Sequence, residues 1–148
     1  MDEQDLDKLT ERIIGCAYQV RNTLGIGFVE RVYENAHAHE MRKSGLNVQQ
    51  QYPIKVVYDG ISVGDFFADI LVENLILVEL KAVSALNNDH IAQALNYLRA
   101  SGLPVCLVIN FGRSKFKFVD FTPLQIGKQH DLERFICFYL RSSPVNNA

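Results

Sequence analysis

Apolar residues at Leu6, Leu9, Ile13, Ala17 and Val20 recur at helical spacing and predict a helix over residues 6–21. The glycine-bearing tract 21–27 interrupts that period. A second helix follows over about 28–43, with Val29, Val32, Tyr33 and Ala36 as its apolar stripe and Ser44-Gly45 as its stop. The period then changes from helical to extended. Residues 52–58 lead into Asp59-Gly60, a strong hairpin signal, and residues 61–72 form the return strand, bent or bulged near Gly64. Glu73-Asn74 turns the chain into a nearly continuous apolar run, Leu-Ile-Leu-Val-Glu-Leu at 75–80, which suits a strand buried on both faces and completes an antiparallel meander. Asn87-Asn88-Asp89 caps a helix to about residue 100, with Ile91, Leu95 and Leu98 inward and Gly102 at its end. Residues 104–110 are a second continuous apolar run, expected to return beside 75–81 as a parallel strand after a right-handed crossover. Residues 115–120 alternate as an edge strand, about 131–141 forms a last helix, and 142–148 is a frayed tail.

One acid sits awkwardly in this pattern. Glu79 ends the buried run, where a carboxylate loses hydration and needs a paired charge or a metal. Strand alternation puts Lys81 on the same side as Glu79. Asp69, ten residues upstream, joins them only in one register. A two-residue loop at Glu73-Asn74 would set Asp69 opposite Val78 and turn Glu79 away. A three-residue loop centred on Asn74, which tolerates the left-handed conformation, pairs Asp69 with Glu79 directly. That odd loop, or an equivalent bulge, is the expectation; Asp69 and Glu79 on opposite faces would remove the site.

Composition narrows the function classes. With 148 residues, 48% apolar and 22% charged, the chain is sized and composed for a single ordered domain, 1–148, rather than for disorder. No apolar run is long enough to span a bilayer and the N-terminus is acidic, so a cytoplasmic protein without membrane contact is expected. Cys16, Cys106 and Cys137 are odd in number and set among apolar neighbours, which suits reduced core residues better than a disulfide framework or a zinc site. His37 and His39 diverge by roughly 200° on a helix and cannot chelate one ion. The formal net charge of −2 opposes a broad grip on nucleic acid, which usually needs a basic excess. Arg113, Lys115 and Lys117 form the one local basic patch.

Taken together, Asp69, Glu79-x-Lys81, Gln93-x-x-x-Tyr97 and Gly27-x-x-Glu30-x-x-Tyr33, in an αβββαβ order, resemble the PD-(D/E)XK nuclease superfamily. Gln93 and Tyr97 are similar to the Gln-x-x-x-Tyr motif of its RecB-like branch, and Gly27, Glu30 and Tyr33 to the signature of its GxxExxY family. Ala68 stands where that pattern has proline. The likeness spans about 6–120 and implies an α/β fold with a restriction-endonuclease-like core, a mixed sheet flanked by helices. It implies a metal-dependent phosphodiesterase: Asp69, Glu79 and the main-chain carbonyl of Leu80 would ligate Mg2+ or Mn2+, with Glu30 as a further ligand. Oxygen donors of this kind suit magnesium.

Each assignment has a plainer counterpart. The plainer reading of Asp69 and Glu79 is a structural ion cluster with Lys81, but burying such a cluster for stability alone is weakly supported, which favours the metal. In the resemblance Lys81 orients the attacking water and contacts the phosphate; two adjacent acids keep its ammonium charged, which favours positioning over free general-base work. Glu30 is otherwise a solvent-facing glutamate, on the flank shared with His37. Tyr33 suits core packing with a hydroxyl partner. Gln93 and Tyr97 share a helical face, away from Ile91, Leu95 and Leu98, and either support Lys81 and a phosphate or meet water, with His90 a weaker candidate beside them. Arg113, Lys115 and Lys117 would bind substrate. DNA hydrolysis is therefore the expected function. The alternatives are a catalytically silent nucleic-acid- or protein-binding module and a nuclease for RNA or branched DNA, and a homodimer or partner protein would supply the grip that the net charge does not.

Overall fold

The structure, a computed structural model, describes residues 2–112 and 117–121. Its elements are α1 (Glu3–Leu24), α2 (Glu30–Lys43), β1 (Val48–Tyr58), β2 (Ile61–Val72), β3 (Ile76–Lys81), α3 (Asn88–Ser101), β4 (Val105–Asn110) and β5 (Lys117–Phe121). The strands form one sheet in the order β1-β2-β3-β4-β5. Only the β3–β4 pair is parallel, joined through α3 as the strand–helix–strand reading requires. This is the α/β, restriction-endonuclease-like arrangement. The last helix and tail expected over 131–148, and Cys137, lie outside the described residues.

Local chemistry sets where the elements begin. α1 starts earlier than its apolar period because Asp2 caps it, accepting the Asp5 N–H at 2.8 Å. The stripe on α2 differs from expectation. Tyr33, Ala38 and Met41 are buried together with Glu34 and His37, while Val29 is 70% exposed. Val29 is the N-cap of α2 and so lies outside its first turn, which rotates the buried face toward Tyr33. Both buried polar residues have partners. His37 Nε2 bonds the Ile13 carbonyl of α1 at 2.9 Å, and Glu34 accepts from the Gln50 and Gln51 amides of β1.

The sheet is covered on both faces. Leu9, Ile13 and Ala17 of α1 and Tyr33 and Met41 of α2 pack with Ile70, Val72, Ile76 and Val78. Ala94, Leu95, Tyr97 and Leu98 of α3 pack on the other face with Leu71, Leu77, Cys106 and Val108. Along the β1–β2 hairpin the buried face changes. Val48, Ile70 and Val72 pack toward α1 and α2, whereas Ile54 and Ala68 pack toward α3. The change falls at Gln51, which has φ 54°; the ladder passes from Gln50–Ile70 to Tyr52–Ala68, leaving Gln51 and Asp69 unpaired between them. Near its tip, Asp59 and Gly60 form the expected two-residue turn at φ 52° and 74°. The register shift beyond Val56 leaves Val63 as an extra residue beside Gly64, the expected bulge.

Beyond β3 a buried amide fixes the chain. Asn110 Oδ1 accepts from the Val83 and Gly112 N–H groups, and Nδ2 donates to the Val83 carbonyl at 2.9 Å. A Cβ at Gly112 would overlap the backbone of Ala82 and Val83, so only glycine fits that approach. No helix among the described residues is long and apolar enough to cross a membrane.

Candidate active site

The second turn of the meander decides whether the acids meet. Val72 pairs with Ile76, so Glu73, Asn74 and Leu75 form a three-residue loop. Glu73 and Asn74 have φ 53° and 55°, and the Leu75 N–H donates to the Val72 carbonyl at 3.0 Å. The pairs Ile70–Val78 and Leu71–Leu77 continue the register that sets Asp69 opposite Glu79. There the backbone ladder stops and the two side chains replace it. The Asp69 N–H donates to Glu79 Oε1 at 3.1 Å, and the Leu80 N–H donates to Asp69 Oδ2 at 2.8 Å. Each carboxylate uses one oxygen in this reciprocal pair and retains the other for a further partner.

Glu79 is 4% exposed and Asp69 is half-buried. Burial, then the Asp69 charge, pushes the Glu79 carboxyl up to about 8, against the opposing Asp69 N–H bond and the Lys81 charge. Asp69 is raised chiefly by burial, then by the charges of Glu34 and Glu30, while the Leu80 N–H and Lys81 oppose the rise. Two anions held this close in low dielectric are poorly tolerated without a cation.

Lys81 does not close an ion pair with either acid. Its Nζ donates to Gln93 Oε1 at 3.0 Å, and Gln93 Nε2 donates to the Tyr97 hydroxyl at 3.2 Å. The Gln-x-x-x-Tyr spacing thus puts both α3 side chains over the end of β3. Tyr97 is 7% exposed and packs in the same apolar cluster as Leu95 and Leu98, rather than on a separate polar face. Burial, then the Glu79 charge, raises its phenol pKa. His90 has a local task instead: its Nδ1 accepts the Asn87 N–H and completes the capping box of α3.

The Gly27, Glu30 and Tyr33 spacing has a structural cause. Gly27 has φ 110°, a conformation closed to side-chain-bearing residues. The fully buried Tyr33 donates its hydroxyl to the Gly25 carbonyl at 2.7 Å and accepts the Phe28 N–H at 3.3 Å, while its ring stacks on Phe111 at 4.7 Å. These contacts hold the turn that starts α2 at Glu30. Glu30 is exposed and acts on Asp69 and Glu79 through its charge. Among the described residues no three His, Cys, Asp or Glu side chains converge as a metal cluster, so the acids form a pair and Glu30 does not make it a triad. His37, expected on the same flank as Glu30, is instead fully buried.

Two neighbours escape a pattern-based reading. Glu34, one turn after Glu30, is 3% exposed and held by Gln50, Gln51 and Arg31. Gln51 stands at the Asp69 position of the next strand. The run Gln49-Gln50-Gln51 in a strand, with an acid four residues after Glu30, was the available signal. Of the basic patch, Arg113 and Lys115 lie outside the described residues, and Lys117 is placed only by its backbone pairing with Asn110.

A family model described as the PD-(D/E)XK nuclease superfamily matches residues 7–120, most of the chain. No curated protein and no solved structure matches it.

Proposed function

The chain belongs to the PD-(D/E)XK nuclease superfamily, and from that premise we propose that it is a Mg2+-dependent nuclease hydrolysing phosphodiester bonds of DNA. The observation that carries this reading is the Asp69–Glu79 pair: two crowded, desolvated carboxylates with no ion pair from the described residues against them. Their chemistry fits Mg2+ or Mn2+, with the Leu80 main-chain carbonyl as a third oxygen donor and Glu30 acting through its charge. When bound there, the cation would neutralise charge on the phosphate and acidify a water.

The protein groups have separate tasks. Asp69 and Glu79 hold the cation, their geometry fixed by the two backbone N–H bonds. Lys81, aimed by Gln93, stabilises negative charge developing on the scissile phosphate and orients the attacking water. Tyr97 holds Gln93 in turn. The chain is further read as a GxxExxY-type member with a RecB-like Gln-x-x-x-Tyr motif, supported by the turn that Tyr33 fixes and by the Lys81–Gln93 bond.

The test is a panel of single-stranded, duplex and branched DNA and RNA with Mg2+ or Mn2+, comparing wild type with Glu79→Gln and Lys81→Ala. Metal-dependent DNA cleavage that both variants lose while staying folded is the expected result. Cleavage retained by both variants, or no turnover of any substrate, rejects the reading; DNA affinity without cleavage points to a silent binding module.

A further inference from the structure

Beside the proposed reaction centre a groove of about 860 Å3 runs between α3 and the distal part of the β1–β2 hairpin. Gln93 and Tyr97 belong to both, so the groove begins where the Lys81–Gln93–Tyr97 chain of hydrogen bonds ends. Phe66 continues the line: its ring centroid is 5.8 Å from that of Tyr97, tilted by 44°. Phe66 is 45% exposed although it lines a concavity, so part of its ring surface is accessible from the groove. Lys55 and Arg99, both exposed and neither in an ion pair among the described residues, line the groove with the amide of Asn96. Asp89 is the one acid lining it among the described residues.

We infer that this groove holds an unpaired stretch of DNA next to the cleaved bond, with a base stacked on Phe66 and flanking phosphates met by Lys55 and Arg99. This deepens the nuclease reading and rests on it. A duplex binder must neutralise many phosphates, which a chain of net charge −2 with two cations in its groove is poorly equipped to do. An unpaired strand instead offers base faces to aromatic rings, and stacking on them is tolerant of sequence. The aromatic ring next to the Gln93–Tyr97 pair, with two cations about it among the described residues, matches that mode.

Fluorescence anisotropy in EDTA with a labelled DNA oligonucleotide tests the groove independently of catalysis. Wild type binds the single strand more tightly than the duplex of the same sequence. Phe66→Ala weakens single-strand binding about tenfold, near 1.4 kcal/mol, and Phe66→Trp retains it, which separates loss of the ring from loss of fold. Glu79→Gln abolishes hydrolysis of the small diester bis(p-nitrophenyl) phosphate yet binds the single strand in EDTA as tightly as wild type, which separates the groove from the reaction centre. Unchanged binding in Phe66→Ala, tighter binding of the duplex, or tighter binding of RNA of the same sequence overturns the inference. A wild type that turns over no diester yet loses DNA affinity in Phe66→Ala keeps the groove and rejects the nuclease.

Discussion

At Glu79, burial and the Asp69 charge act in one direction, so metal-free protein holds a proton there that the unfolded chain has already released. The sign follows from linkage. Between pH 4.5, the ordinary value, and about 8, Glu79 is protonated in the folded state and ionised in the unfolded, so its contribution to stability falls as pH rises through that window. Glu79→Gln keeps the hydrogen-bonding shape without the charge. It is expected to remove that slope and to stabilise the metal-free protein at pH 8 by on the order of a few kcal/mol, read from urea midpoints in EDTA across the window. The same variant loses cleavage. A wild-type midpoint that does not fall between pH 6.5 and 8, above the His37 interval, or a Glu79→Gln variant less stable than wild type at pH 8, would remove the electrostatic basis of the site. Adding Mg2+ is expected to raise the wild-type midpoint and leave Glu79→Gln unmoved.

Between elements, two buried polar groups set the frame in which those acids meet. His37 ties α2 to α1 through the Ile13 carbonyl, and burial lowers its pKa to about 4. The unfolded chain takes up that proton near pH 6.5 and the folded chain only near 4, so stability falls as pH drops through this interval, by about 3 kcal/mol in all. His37→Phe flattens this acid limb in pH-dependent urea denaturation, whatever it does to the plateau. At the end of β3, Gly112→Ala drives a methyl into the Ala82–Val83 backbone and is expected to cost about 2–3 kcal/mol, seen as a lowered urea midpoint. The first three helices, the meander, the parallel return strand and the Asp69–Glu79 register were all legible because each follows from local period, turn chemistry or the chain length of a loop. Glu34, Gln51 and Asn110 were not. Their roles arise where α2 meets β1 and where β4 meets the exit of β3, and no spacing within one segment encodes such a meeting. The misplaced α2 stripe has a similar origin: Val29 fits the period, yet the Tyr33 hydroxyl holds the preceding turn so that α2 begins after it.

For the molecule as a whole, charge limits how it can hold a polyanion. Fifteen basic against seventeen acidic side chains leave no general attraction, so affinity must come from local groups of cations and from stacking. Among the described residues, Lys81, Lys55 and Arg99 are the cations placed along the line from the acid pair through the groove. Three phosphate contacts on a single strand give a slope of log Kobs against log salt of about −2, since each contributes roughly −0.7. A nuclease gripping duplex DNA over many phosphates would show a slope several times steeper. Anisotropy titrations over a range of salt measure this directly, and Arg99→Ala is expected to reduce the slope by somewhat less than one while weakening all sequences alike. Phe66→Ala leaves the slope unchanged because a base on a ring releases no counterions, so the two variants separate stacking from charge. A steep wild-type slope that Arg99→Ala does not alter would place the main grip outside this groove, on another surface of the chain or on a second copy of it. A slope near −2 that falls with Arg99 makes the groove itself the track for the strand.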